Sequence, residues 1–210
     1  MTDAVRTGSE DIVVAPTGLR FLGRRIACTV GRGGIRMDKH EGDGATPVGS
    51  HRIVGMLYRP DRMRAPARWA RPIGLRDLWC DDPGHAAYNR AVCAPFSGSA
   101  EHLRRGDPLY DLILLTGWNE TGQPGRGSAI FLHRWRRPGY PTEGCVAMDA
   151  MDLRWVAERI RLGTRLVVPE RLASDRLDPE QKAGTDLRAL GRLLRGQPRR
   201  PSDRIPSLPV

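Results

Sequence analysis

Along the chain, apolar residues gather in short runs divided by Gly, Pro, Asp and Asn. Such runs read as strands, because a helix needs an apolar stripe sustained at a period of about 3.6 residues. The runs Ile12 to Val14, Leu19 to Phe21 and Arg25 to Val30 predict three strands, and Gly31, Gly33 and Gly34 then make a turn. No amphipathic helix opens behind those glycines, which argues against a nucleotide-binding loop. Lys39 to Ser50 is a dense cluster of turn formers leading into a strand over His51 to Arg59. Tyr110 to Thr116 and Ser128 to His133 read as buried strands that pair in the core, with residues 118–127 a loop between them. One helix is clear. Asp149 can cap it, Asp152 adds charge to its first turn, Leu153, Val156, Ala157 and Ile160 form one apolar face, and Gly163 stops it. Thr164 to Val168 returns as a strand.

Composition narrows the fold class. A chain of 210 residues with 40% hydrophobic content buries one core and leaves room for an extension. Abundant Gly and Pro with few aromatics favour a mainly β (α+β) domain over a helical bundle. Residues 1–11 read as a disordered tail, 12–169 as the domain, and 170–210 as a polar extension with a short helix at 187–194 and a Pro- and Arg-rich end. No internal repeat stands out.

The net charge is +10, and only Lys39 and Lys182 among the 34 basic residues are lysines. Such charge favours polyanionic surroundings such as nucleic acid, anionic lipid or an acidic wall polymer, without choosing among them. A basic nucleic-acid-binding protein would account for the Arg-rich end, yet no recognised binding motif and few interleaved aromatics accompany it. No stretch approaches the roughly 20 apolar residues of a membrane span. Met1 to Val14 lacks the basic start and apolar stretch of a secretory leader. The four cysteines are too few for a disulfide scaffold: Cys28 reads as a core thiol, while Cys80 and Cys93 flank a turn-rich segment and pair only if geometry and compartment allow.

Candidate chemistry concentrates at one place. His133 ends a buried-strand pattern, and Pro141-Thr142-Glu143-Gly144-Cys145-Val146-Ala147 follows just before the capped helix. A neighbouring base raises the thiolate fraction of a cysteine, and histidine suits because its pKa lies near neutrality. Gly144 lets backbone approach a carbonyl closely, so the Gly144 and Cys145 amides are candidate oxyanion donors. A core thiol beside an unrelated imidazole would show the same local pattern. A zinc site built on Cys145, His133 and Cys80 or Cys93 lacks the usual short ligand spacings, so no metal or other cofactor is expected.

Ile130-Phe131-Leu132-His133-Arg134-Trp135 followed by Pro141-Thr142-Glu143-Gly144-Cys145-Val146-Ala147-Met148 resembles the His-to-Gly-Cys motif of the L,D-transpeptidase (YkuD-like) family. The likeness extends to Lys39 with Glu41 to Gly49, Trp79 to Pro83, Tyr88 to Arg90, Ser99 to Glu101 and Leu109 to Asp111, features of a compact single-domain branch. It implies a mixed β-sandwich with a few short helices. It also implies acyl transfer in which Cys145 forms a thioester with one peptidoglycan stem peptide, the donor, and an amine of a second, the acceptor, resolves it. His133 would serve as base and acid. The family implies a cell-envelope location and a monomer without nucleic-acid partners. Water in place of the amine would make the enzyme an L,D-carboxypeptidase or endopeptidase.

Two departures qualify the likeness. Many members carry Ser-His-Gly-Cys followed by an apolar residue and Arg, whereas here Thr142-Glu143-Gly144-Cys145-Val146-Ala147 lacks that second histidine and that arginine. Stem-peptide carboxylates then need another cation, with Arg126, Arg134, Arg136 and Arg137 nearest in sequence. Glu143 is either a solvated loop residue or a contact for the incoming amine, and Trp135 is a further substrate-binding candidate. The turn-rich segment 39–49 reads as a strand connection or a groove wall.

Overall fold

The structure is a computed structural model that describes residues 7–173. The helix expected at 187–194 and the Pro- and Arg-rich end lie outside the described residues.

The first three strands, β1 (Ile12–Ala15), β2 (Gly18–Phe21) and β3 (Arg24–Ile26), form an antiparallel meander, and β4 (Cys28–Thr29) follows after a single residue. The strands β5 (Ile35–Arg36) and β6 (Thr46–Pro47) pair in parallel, and the ten-residue β7 (Gly49–Tyr58) is flanked by the short β8 (Arg71–Pro72). A separate sheet holds β9 (Asp77–Cys80), β10 (Ala91–Cys93) and β11 (Ala100–His102) in the order β10-β9-β11. Next come β12 (Leu112–Thr116), β13 (Phe131–Arg134), β14 (Val146–Met148), α1 (Ala150–Ala157) and β15 (Arg165–Val168).

The main sheet runs β3-β2-β1-β15-β7-β12-β13-β14-β4. Its two end strands, β3 and β4, are neighbours in the chain, separated only by Ala27. A sheet whose opposite edges are joined by one residue must fold back on itself. The long β7 makes the fold possible: Gly49 to Arg52 pairs with β15, and Ile53 to Tyr58 pairs with β12. The inner faces of the two halves then meet in one core, which joins Val14, Leu19 and Phe21 to Met56, Leu114, Leu132 and Val146. The protein is thus mostly β with one α-helix among the described residues, in agreement with the sequence reading of a mainly β sandwich.

The helix forms where its capping signals lie. Asp149 accepts a hydrogen bond from the Met151 amide at 2.8 Å, and Leu153, Val156 and Ala157 are buried against the sheet. Ile160 is also buried but follows the helix rather than belonging to it. Asp152 meets Arg24 at 2.6 Å, and Trp155 packs edge-on against Phe21, tying α1 to the meander.

Two differences from the sequence reading have physical causes. Arg25 to Val30 is not one strand, because Ala27 carries the chain from one edge of the sheet to the other. The β9 to β11 sheet was hidden by strands of three or four residues among turn formers. Cys80 is a buried free thiol and Cys93 an exposed one, so they do not pair; burial raises the Cys28 thiol to about 12.

Leu153 is 1% exposed in the core, whereas Met151 on the same helix is 81% exposed. Leu153→Ala is expected to lower unfolding free energy by about 2–5 kcal/mol through lost burial and a residual cavity. Met151→Ala should change it by less than about 0.5 kcal/mol. Urea denaturation of the two variants checks the pair.

Candidate active site

Strand alternation and register build the site. Leu132, Val146 and Met148 point into the main core, so their neighbours Phe131, His133 and Cys145 take the other face. There β13 and β14 run parallel, with Leu132 opposite Val146 and His133 opposite Ala147. Cys145 sits one residue before β14 and His133 at the third position of β13. Parallel pairing therefore places thiol and imidazole on the same face of neighbouring strands.

The imidazole is locked. His133 Nδ1 lies 2.7 Å from the Arg134 carbonyl, which can only accept, so Nδ1 carries the proton and Nε2 keeps its lone pair. Tyr110 stands edge-on to the ring at 5.3 Å, and its hydroxyl donates to Glu101 Oε1 at 2.9 Å. Burial holds the His133 pKa down at about 4.

The thiol has other partners. Cys145 Sγ donates to the Ala129 carbonyl at 3.0 Å and accepts from the Phe131 amide at 3.3 Å. Burial pushes its pKa up to about 12; the Phe131 amide opposes this, the Glu101 charge adds to it, and the Lys39 charge lowers it. Among the described residues no hydrogen bond joins thiol and imidazole. At rest both groups are neutral.

The loops that place Cys145 are held by side chains the sequence reading did not single out for this role. Asn89 Oδ1 accepts from the Ala129 amide and from Trp79 Nε1, both at 3.0 Å, while Nδ2 donates to the Trp118 and Asn119 carbonyls. One buried carboxamide thereby holds both ends of the 118–129 loop whose Ala129 carbonyl receives the thiol. Thr142 Oγ1 donates to the Cys145 carbonyl at 2.6 Å and accepts from the Gly144 amide at 3.1 Å. Thr46 Oγ1 donates to the Gly144 carbonyl at 2.7 Å. These threonines are visible in sequence, but their partners come from distant strands.

Gly144 is placed for space rather than for donation. Its φ is +139°, and a Cβ there would lie 2.9 Å from the Ala45 carbonyl oxygen. Its amide is already given to Thr142, so of the two amides expected to meet an oxyanion, that of Gly144 is engaged.

The expected substrate contacts divide. Arg126 stacks over Trp118 at 5.0 Å and lines an open pocket of about 510 Å³ with Lys39, His40 and Gln123. Lys39, only 6% exposed and bonded to Asp43 at 2.6 Å, links this pocket to the thiol its charge reaches. The 39–49 segment is thus a pocket wall as well as a strand connection. Arg134 lies elsewhere, in a groove with Met63, Ala150 and Leu153, because alternation on β13 turns it away from His133. Glu143 is exposed and paired with Arg32 at 2.6 Å. Trp135 is half-buried, with its amide bonded to the Met148 carbonyl. Among the described residues, no three His, Cys, Asp or Glu side chains converge as a metal site.

A buried thiol and a tautomer-fixed imidazole on adjoining parallel strands fit acyl transfer, and comparison with known proteins gives the class. The model of the YkuD family, the L,D-transpeptidase catalytic domain, matches residues 11–168, and the chain belongs to that family of enzymes. No curated protein and no solved structure matches it.

Because the folded-state pKa of His133 is depressed below the ordinary 6.5, the unfolded chain binds the extra proton first as pH falls. Stability from this group is complete above about 6.5 and is lost as pH falls toward 4. Denaturant titrations at pH 7.5 and pH 5 should show a larger acid loss in wild type than in His133→Gln. An equal loss in both would show that His133 is not the buried neutral group.

Proposed function

We propose that the chain is a peptidoglycan L,D-transpeptidase with Cys145 as nucleophile and His133 as general base and acid. The observation that carries this reading is the His133 tautomer: with Nδ1 given to the Arg134 carbonyl, the basic Nε2 is left free on the face shared with Cys145. No activated thiolate waits at rest, because moving a proton from a thiol near 12 to an imidazole near 4 is strongly uphill. Substrate has to change that balance. A donor carbonyl entering beside Sγ displaces the thiol from Ala129, turns its S–H toward Nε2, and concentrates the developing charge where donors can meet it.

The sulfur attacks the donor carbonyl, the leaving amine takes the proton from His133, and a thioester remains on Cys145. An amine from a second stem peptide then attacks, giving a new amide and the free thiol. Within this scheme the Cys145 amide is the backbone donor nearest the oxyanion, while Thr142 and Thr46 hold its loop in shape. The pocket lined by Lys39 and Arg126 supplies the cations that the departures from the family motif call for, and so receives a stem-peptide carboxylate. The substrate is a polymer of the cell envelope, which is the location proposed for the protein. Among the described residues no helix is long and apolar enough to cross a membrane.

Intact mass spectrometry tests the reading. Incubation with a carbapenem should add one acyl adduct to wild type and none to Cys145→Ala, and disaccharide-tetrapeptide should yield dimer with loss of D-alanine. Tripeptide without dimer would mean that water resolves the thioester, making the enzyme a carboxypeptidase. Absence of both adduct and turnover would sink the assignment of Cys145.

A further inference from the structure

A second wall of the site is acidic, and the scheme above leaves it unused. On the small sheet Glu101 of β11 lies opposite Trp79 of β9, and Ala100 opposite Cys80. Alternation then puts Trp79, Asp81 and Glu101 on one face, with the two carboxylates as diagonal neighbours. That face meets the nucleophile. Trp79 packs edge-on against Phe131 at 5.0 Å, and the Phe131 amide donates to Cys145 Sγ. Glu101 also holds Tyr110, whose ring rests against His133. Asp81 Oδ1 is buried with no hydrogen-bond partner.

A buried carboxylate oxygen without a donor is costly, and a second carboxylate beside it increases the demand for a cation. Arg105 approaches Glu101 only at 3.6 Å and is itself committed to Asp107 at 2.7 Å. The scheme also lacks a proton acceptor. The attacking amine arrives as an ammonium ion, and His133 can take only the proton released when the C–N bond forms.

Resting on the transpeptidase reading, we propose that Asp81 and Glu101 form the subsite for the ammonium group of the acceptor, a primary amine, and that Glu101 takes its excess proton before attack. Proton and electron counts then close. The ammonium gives one proton to the carboxylate pair and thence to solvent; the free amine forms the C–N bond as the C–S bond breaks; its second proton passes through His133 to the Cys145 sulfur. Burial, with Asp81 and Asp107 adding their charge, raises the Glu101 carboxyl, which suits it to receive a proton. Glu143, the sequence candidate for this contact, is instead engaged with Arg32 in solvent.

Glu101→Gln keeps an acceptor for Tyr110 and removes the charge, and Asp81→Asn is the independent second variant. Each is assayed as the full chain with disaccharide-tetrapeptide, following acyl-Cys145 by intact mass and dimer against tripeptide by chromatography. Hydroxylamine, uncharged at neutral pH, serves as a nucleophile that needs no ammonium subsite. Asp81→Asn should acylate within about twofold of wild type, and Glu101→Gln no more slowly than wild type, because losing its charge eases ionisation of the thiol. Dimer should fall roughly ten- to hundredfold, as for a lost hydrogen bond to a charged group, and hydroxamate yield should hold. A parallel fall of dimer and hydroxamate, a fall in acylation, or unchanged dimer in both variants would overturn the subsite. A wild type that never acylates would overturn the reading of Cys145, and the subsite with it.

Discussion

The site depends on the parallel pairing of β13 with β14. Parallel neighbours cannot be joined by a tight turn, so the chain must leave β13, cross over, and re-enter the sheet from the same end. That crossover is the segment 135–145, and its last residue is the cysteine. The register of His133 with Ala147 puts the thiol near the imidazole without either residue being close to the other in a turn. The crossover's end is stitched from elsewhere: the Thr142 carbonyl accepts from the Arg32 amide, the Thr142 amide donates to the Val30 carbonyl, and Thr46 holds Gly144. These strands are present at that point because the sheet closes through Ala27, which brings β4 alongside β14.

Burial sets the electrostatic character of the resting pair. Removing the thiol and the imidazole from water disfavours the charged form of each, thiolate and imidazolium alike. An exposed Cys-His pair would hold a standing thiolate open to oxidation. Here the sulfur lies between the Ala129 carbonyl and the Phe131 amide, and the imidazole proton is tied to the strand's own backbone. As the proposed nucleophile, Cys145 would therefore need substrate to generate its thiolate.

Much of this was legible in the sequence, in unequal degree. The paired strands at 110–116 and 128–133, the capped helix at Asp149 and the closing strand at 164–168 follow local rules of periodicity and capping that tertiary structure did not overturn. His133 and Cys145 stood out because residue type and motif carry them. The supporting residues did not, since their meaning lies in partners far along the chain: Asn89 acts through Ala129, and Thr46 through Gly144. A general reading of 32 arginines could not choose Arg126 over Arg134 either. Strand alternation separates them in the structure, turning Arg134 away from the face that His133 occupies.

The net charge of +10 describes the surface poorly as a guide to the cleft. Around Cys145 the charges are of both signs: Lys39 acts on the thiol from the loop that also lines the Arg126 pocket, and Glu101 acts on it from the small sheet. Under the proposed transpeptidation, a cleft of uniform positive charge would hold a donor carboxylate but repel the acceptor ammonium. A cleft of uniform negative charge would do the reverse. The proposed transfer between two peptides, one presenting an anion and the other a cation, would ask for separate walls of opposite sign on either side of one sulfur. The separate origin of the two charged groups, one in the 39–49 loop and one in the β9 to β11 sheet, lets each be tuned without moving the β13 to β14 frame that holds His133 and Cys145.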